Sequence, residues 1–360
     1  MIAPDSNFNR IEAAAGRYRP DIDGLRAIAV IAVVFYHFRV PPFSGGFVGV
    51  DVFFVISGFL ISRLIWSEMG AGHFSFVDFY ERRVRRILPA LFAMLAVVTI
   101  ASIFLLFPHM LVNYAMSLMA TAGFVSNFHF FGATGYWAPA AAEEPLLHTW
   151  SLAVEEQFYL VFPLLLILFS GKSRTTLLVS ILAGWLVSFA VSVISVHHAP
   201  ISAFYLLPSR FWELLTGGFL AVSDLRPPAN TFSRNLVALL GLALIALGVF
   251  GLSANSTFPG VNALPPCVGT ALLICANTGS RPAPWINAAL ATRAPVAVGL
   301  ISYSLYLWHW PIFVLATSVL PHGLDTQQTA IAIVASFILA ALSWRFVEQP
   351  FRGHSSRVAR

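Results

Sequence analysis

Hydrophobic and polar positions alternate along the chain in long blocks, with eleven apolar runs near 25–40, 47–66, 87–107, 111–131, 152–169, 175–196, 204–222, 236–252, 262–278, 296–320 and 328–347. A helix that crosses a bilayer needs about 20 largely apolar residues, and most of the runs meet that need. Charged residues collect between them. The pattern predicts an all-α polytopic membrane protein built as one bundle, because no internal repeat, low-complexity block or linker divides it. Residues 1–16 read as a mobile cytoplasmic tail, 17–353 as the membrane domain and 354–360 as a cytoplasmic C-terminal tail. The polar N-terminus does not resemble a cleavable signal peptide.

Eleven full crossings conflict with the charges. Starting inside, they would place Lys172, Arg174, Arg226, Arg234, Arg281, Arg293, Arg345, Arg352, Arg357 and Arg360 outside, against the tendency of basic loops to stay cytoplasmic. If run 111–131 does not cross, those loops invert, and nineteen of the 21 Lys and Arg residues face inward. Arg39 is then outside and Arg210 near an outer helix end. The run contains Asn113, Asn127 and His129, which suits a re-entrant or non-spanning segment. The expectation is about ten transmembrane helices in the cytoplasmic (inner) membrane, both termini cytoplasmic, with 132–151 outside and the Arg-rich stretch 68–86 inside.

Composition closes off other classes. With 58% hydrophobic and 10% charged residues and a mean hydropathy of +0.78, no water-soluble surface can be built. The net charge of +5 sits in clusters between apolar runs, a topology signal rather than a nucleic-acid footprint. Cys267 and Cys275 lie about 12 Å apart along a helix, too far for a disulfide.

Polar residues inside apolar runs are costly and mark candidate function. Arg26 and His37 are eleven residues apart, roughly three helical turns and about 16 Å along one stripe; the plain alternative is that each satisfies its own interface. Arg82, Arg83, Arg85 and Arg86 stand before Ile87-Leu88-Pro89 and form a dense anion site, or else an orienting cluster that touches anionic lipid. In His148-Thr149-Trp150-Ser151-Leu152-Ala153-Val154-Glu155-Glu156-Gln157-Phe158-Tyr159, a helix begun by His148 would put His148, Glu155 and Tyr159 within about 40° of one face. Adjacent carboxylates beside a histidine suit proton transfer. Asp51 could pair with Arg210, or Arg210 with Glu213 three residues on. The aromatic residues around His309 read as an interfacial belt. Ser57 lacks the Gly-x-Ser-x-Gly elbow of a serine hydrolase, no histidine or cysteine spacing suits zinc, and no phosphate-binding glycine loop supports ATP-driven transport.

Taken in order, Tyr18-Arg19-Pro20-Asp21-Ile22-Asp23-Gly24-Leu25-Arg26 with His37, Gly49-Val50-Asp51-Val52-Phe53-Phe54-Val55-Ile56-Ser57-Gly58-Phe59, Arg83-x-x-Arg86-Ile87-Leu88-Pro89, His148 through Tyr159, Tyr303-Ser304-Leu305-Tyr306-Leu307-Trp308-His309 and Val347-Glu348-Gln349-Pro350-Phe351-Arg352 closely resemble the acyltransferase 3 family. The resemblance spans about residues 18–352. It implies transfer of an acyl group, usually acetyl, from cytoplasmic acetyl-CoA to a hydroxyl of a carbohydrate or glycolipid outside. On that footing Arg26, Arg82, Arg83, Arg85 and Arg86 are the expected donor-binding residues, His37, Glu155, Glu156 and His148 the catalytic ones, and Asp51, Ser57, Trp150, Arg210, Glu213, Tyr303 and His309 substrate-binding or structural. His37 would act as base or acyl carrier, with Glu155 or Glu156 and His148 setting its tautomer or orienting the acceptor. No metal is expected. Some members carry a fused extracytoplasmic SGNH-type hydrolase domain; the sequence ends eight residues after Arg352, so none is expected here, and transfer would be completed by the membrane domain alone or with a separate partner. O-antigen in lipopolysaccharide, exopolysaccharide, peptidoglycan, glycolipid and macrolide hydroxyls are all compatible acceptors. A flippase or exporter of a lipid-linked glycan, with Arg26, Asp51 and Glu155 lining its path, is the alternative from another class.

Overall fold

The computed structural model describes residues 18–133, 144–169, 172–223, 225, 227–278, 282–320 and 322–352. The expected tails 1–16 and 354–360, residues 134–143 of the loop 132–151, and Arg226 and Arg281 lie outside those residues. Among the described residues every regular element is helical. In chain order they are α1 (Pro20–His37), α2 (Gly49–Gly70) with a 3-10 turn (Gly46–Val48) before it, α3 (Phe76–Leu105), α4 (Pro108–Ala122), α5 (Ser126–Gly132) and α6 (Thr149–Leu168). Then come α7 (Arg174–His198), α8 (Pro200–Tyr205), α9 (Leu207–Val222), α10 (Thr231–Gly251) and α11 (Leu264–Ala276). The last are α12 (Trp285–Leu290), α13 (Arg293–Leu300), α14 (Ser302–Val319), α15 (Thr326–Ser343), a π turn (Trp344–Glu348) and α16 (Gln349–Arg352).

This is a multi-pass membrane protein. Among the described residues six helices are long and apolar enough to cross a bilayer, and α13 with α14, bent by 64°, brings the number to seven where the pair counts as one span. The other three expected spans are helices too, but α1 carries Asp21, Asp23 and Arg26, α9 has 16 residues with Arg210 and Glu213 inside, and α11 has 13 residues. Length and apolarity alone therefore do not reach ten. The run 111–131 divides into α4, 15 residues, and α5, 7 residues, around Phe124 at φ 54°. At 1.5 Å per residue neither piece is as long as a bilayer core is thick.

Helix α2 is the hub. Of its apolar window 78% is buried in the protein, against 22% for α7, which turns its side chains to lipid. One core joins α2 to α3, α6, α9 and α14; a second joins it to α1, α10, α11 and α12. Helices in lipid gain from close backbone approach at small residues. At Gly58 of α2 an added Cβ would lie 1.9 Å from the Leu214 carbonyl oxygen of α9, and at Gly217 of α9 2.0 Å from that of Val55. This tight crossing fixes the depth and rotation of Ser57, one residue before Gly58.

Candidate active site

The arginine cluster is split by helical geometry. Helix α3 is capped by Ser75, whose hydroxyl accepts the Asp78 N–H, and it presents successive arginines to different neighbours. Arg83 and Arg86 enter the interior, where they line a cavity with Arg26. Arg82 instead reaches Glu68 of α2 through a doubly bonded pair at 2.7 and 2.9 Å, and Arg85 pairs with Glu81 one turn back at 2.5 Å. The four arginines expected to bind the donor together therefore do not share one space: Arg83 and Arg86 line the cavity, and Arg82 and Arg85 each meet a carboxylate. Sequence reasoning missed another cation here. The π turn carries Glu348 inward, fully buried, where it accepts from Ser304 at 2.8 Å and holds Arg352. Arg352 thereby comes within electrostatic reach of Arg26, Arg83 and Arg86. A π turn in so apolar a helix was the available clue only in hindsight, since the sequence signature Val347–Arg352 says nothing about which way Glu348 faces.

The cavity holds about 110 Å³, enough for several waters or a small acyl group. Beyond the arginines its wall is formed by Ser57, Glu155, Tyr159 and Tyr306. The Tyr159 hydroxyl donates to Glu155 at 2.7 Å, and the Ser57 hydroxyl pairs with the Tyr159 hydroxyl, making a continuous chain from carboxylate to serine. The sequence places Tyr159 on a shared face and assigns it no role. Tyr303 donates to the Ile87 carbonyl at 2.9 Å and ties α14 to α3 at the arginine end. Glu156, half-buried, is outside the wall and faces Arg83, Arg86 and Tyr80.

Three imidazoles lie beyond Tyr306. Helix α6 begins at Thr149, so His148 is its cap residue, and among the described residues neither of its ring nitrogens has a hydrogen-bond partner, Glu155 included. Its ring stands 5.5 Å from that of Tyr306 and 5.8 Å from that of His309. Tyr306 is held by the His148 carbonyl at 2.9 Å and the Ser151 hydroxyl at 2.5 Å. His37, at the end of α1, has its Nδ1 2.9 Å from Nε2 of His309, with the rings nearly parallel. Trp310 packs edge-on against His37 at 4.6 Å and anchors its own indole N–H on the Glu144 carbonyl. Two expectations change here. His309 is no interfacial belt residue, being 0% exposed; and the group that meets the His37 ring nitrogen is His309, not Glu155, Glu156 or His148. Tyr306 lines the cavity and also packs against His148 and His309, whereas none of the three imidazoles is among the residues that line it.

Asp51, Arg210 and Glu213 form a clamp apart from the cavity. Arg210 bonds Asp51 at 3.1 Å and Glu213 at 2.7 Å, so both pairings weighed from the sequence occur together. All three are at most 1% exposed, and the guanidinium stacks over Trp150 at 5.5 Å and over Phe54 at 5.7 Å. Asp51, Glu213 and Cys267 have ligand atoms within 4.8 Å of one another, yet the cation between the carboxylates is already Arg210. The clamp joins α2 to α9 and seats Trp150 of α6.

An all-helical membrane bundle with arginines, a carboxylate–tyrosine–serine chain and paired imidazoles converging inside it has the parts of a group-transfer site. The chain belongs to the acyltransferase 3 family: residues 19–345 match the family described as an acyltransferase domain. It is 34% identical over 349 residues to the peptidoglycan O-acetyltransferase OatA of Listeria monocytogenes, covering 93% of this chain and 56% of that protein. It is 32% identical to the O-acetyltransferase OatA of Staphylococcus aureus, covering 96% and 59%, and 31% identical to the putative peptidoglycan O-acetyltransferase YrhL of Bacillus subtilis, covering 95% and 56%. The chain thus spans a little over half the length of these curated relatives. No solved structure matches it.

Proposed function

We propose that this protein is a membrane O-acetyltransferase that takes acetyl from cytoplasmic acetyl-CoA and delivers it to a glycan hydroxyl on the outer side, peptidoglycan being the acceptor that the relatives' names favour. The observation that carries this reading is the cavity: Arg26, Arg83 and Arg86 share its lining with Glu155, Tyr159, Ser57 and Tyr306, and the Tyr306 ring packs against His309. Arginine forks suit the phosphates of CoA. Basic loops prefer the cytoplasm, which orients the arginine end inward, with ten spans and both termini inside. Membership in an acyltransferase family favours transfer over the flippase that a polar path alone also allows.

In the chemistry that follows, the thioester tip enters past the arginines and is presented to His37. His37 takes the acceptor hydroxyl proton while the oxygen attacks the thioester carbon, or it takes the acetyl group first and passes it on. In both routes the C–S bond breaks and its electron pair leaves on the CoA sulfur. Glu155 through Tyr159 and Ser57 orients the donor arm where it passes through the cavity. This transfer draws on this chain's own residues.

The test uses protein reconstituted in vesicles with radiolabelled acetyl-CoA and a peptidoglycan-derived oligosaccharide. His37→Ala is expected to lose acetyl transfer by at least about a hundredfold while still binding acetyl-CoA. Transfer at the wild-type rate would overturn the assignment.

A further inference from the structure

The hydrogen bonds around His309 determine which atom of His37 reacts, and we infer that His309 is a positioning residue that holds His37 in the tautomer with its proton on Nδ1 and its lone pair on Nε2. The inference rests on the reading of His37 as the reacting imidazole and adds the atom and the residue that selects it.

The chain of logic begins at a backbone carbonyl. His309 Nδ1 lies 3.1 Å from the Leu305 carbonyl oxygen one turn back on α14. A carbonyl oxygen only accepts, so this nitrogen carries a proton. His309 is 0% exposed, its ring neighbours are His37, His148 and Tyr306, and among the described residues no carboxylate pairs with it. A buried charge without a partner is costly, which keeps His309 neutral with one proton. Its Nε2 is therefore a lone pair. That lone pair faces His37 Nδ1 at 2.9 Å. Two lone pairs do not bond at that distance, so His37 Nδ1 donates, and the one basic and nucleophilic nitrogen left on His37 is Nε2. His37 is half-buried, whereas His309 is enclosed, so the reactive edge belongs to the ring that a substrate can reach.

The arrangement serves either chemical route. When Nε2 takes the acceptor proton, the positive charge on His37 is met at Nδ1–H by the His309 lone pair. When Nε2 attacks the thioester carbon, the N–C bond forms, the C–S bond breaks with its electron pair on sulfur, and the charge on the acylated ring is met by the same contact. Removing His309 leaves both tautomers of His37 open, and only one of them can react.

Two measurements on the full chain in lipid bilayers decide the matter. The first is 15N NMR of histidine-labelled protein, with His37→Ala used to assign the His37 signals. The expected result is a protonated Nδ1 and a bare Nε2; a bare Nδ1 overturns the inference even if His37 is essential. The second compares His309→Leu with His309→Gln, whose amide oxygen can accept the same proton. Leucine is expected to lower kcat about 10- to 100-fold with the KM for acetyl-CoA within about twofold, and glutamine to recover most of that loss. Equal losses in both variants, with unchanged thermal melting, would reduce His309 to a packing role. Failure of the underlying reading is seen separately, as wild-type transfer by His37→Ala.

Discussion

Arginines that look alike in sequence differ once their partners are known. Arg83 enters the cavity with an Nε that has no hydrogen-bond partner, while Arg85 sits against a half-exposed Glu81. A charge-assisted bond to a ligand is worth about 1.5–3 kcal/mol, or roughly a ten- to hundredfold change in binding. Arg83→Ala is accordingly expected to raise the KM for acetyl-CoA about ten- to hundredfold, and Arg85→Ala to change it less than about threefold, because exposed ion pairs contribute about 1 kcal/mol or less. Equal effects in steady-state kinetics would show that the cluster acts as an undivided anion site. The sequence made the cluster visible, but helical spacing alone does not say which guanidiniums meet Glu68 and Glu81 first.

At the scale of the helix, the α2–α9 crossing determines where the site's residues stand. Gly58 and Gly217 let the two backbones meet, and Arg210 locks the same pair to Asp51. Gly58→Ala would drive a methyl group against the Leu214 carbonyl, and overpacking of a tight interior costs about 1–3 kcal/mol. The expected outcome is a lowered thermal midpoint in detergent together with weakened transfer, since Ser57 must shift with the helix; an unchanged midpoint would show that the crossing is looser than 1.9 Å implies. Most apolar runs were legible as helices from length and hydropathy. The halves α4 and α5, the bend between α13 and α14 and the π turn at Trp344–Glu348 were not resolved by that pattern, since breaks in a uniformly apolar run are set by packing and backbone angles.

For the whole molecule the proposed orientation makes a direct prediction. In a background with Cys267 and Cys275 replaced by serine, Ser44→Cys, exposed in the loop after α1, is expected to react with a membrane-impermeant thiol reagent only from outside. His73→Cys, exposed between α2 and α3, should react only after the cytoplasmic face is opened. The reverse pattern would invert the protein, and labelling of both from one side would show that α2 does not cross. The apolar runs, the segregation of basic residues and the family motifs were all written in the sequence, because the cost of placing polar groups in lipid acts on each segment locally. Only the tertiary structure could set His37 against His309, divide four arginines between a cavity and the carboxylates of Glu68 and Glu81, and bring Tyr306 to both the cavity and the imidazoles of His148 and His309. Those contacts join residues up to 272 positions apart, and their geometry depends on how each helix rotates against its neighbours, which local hydropathy leaves free.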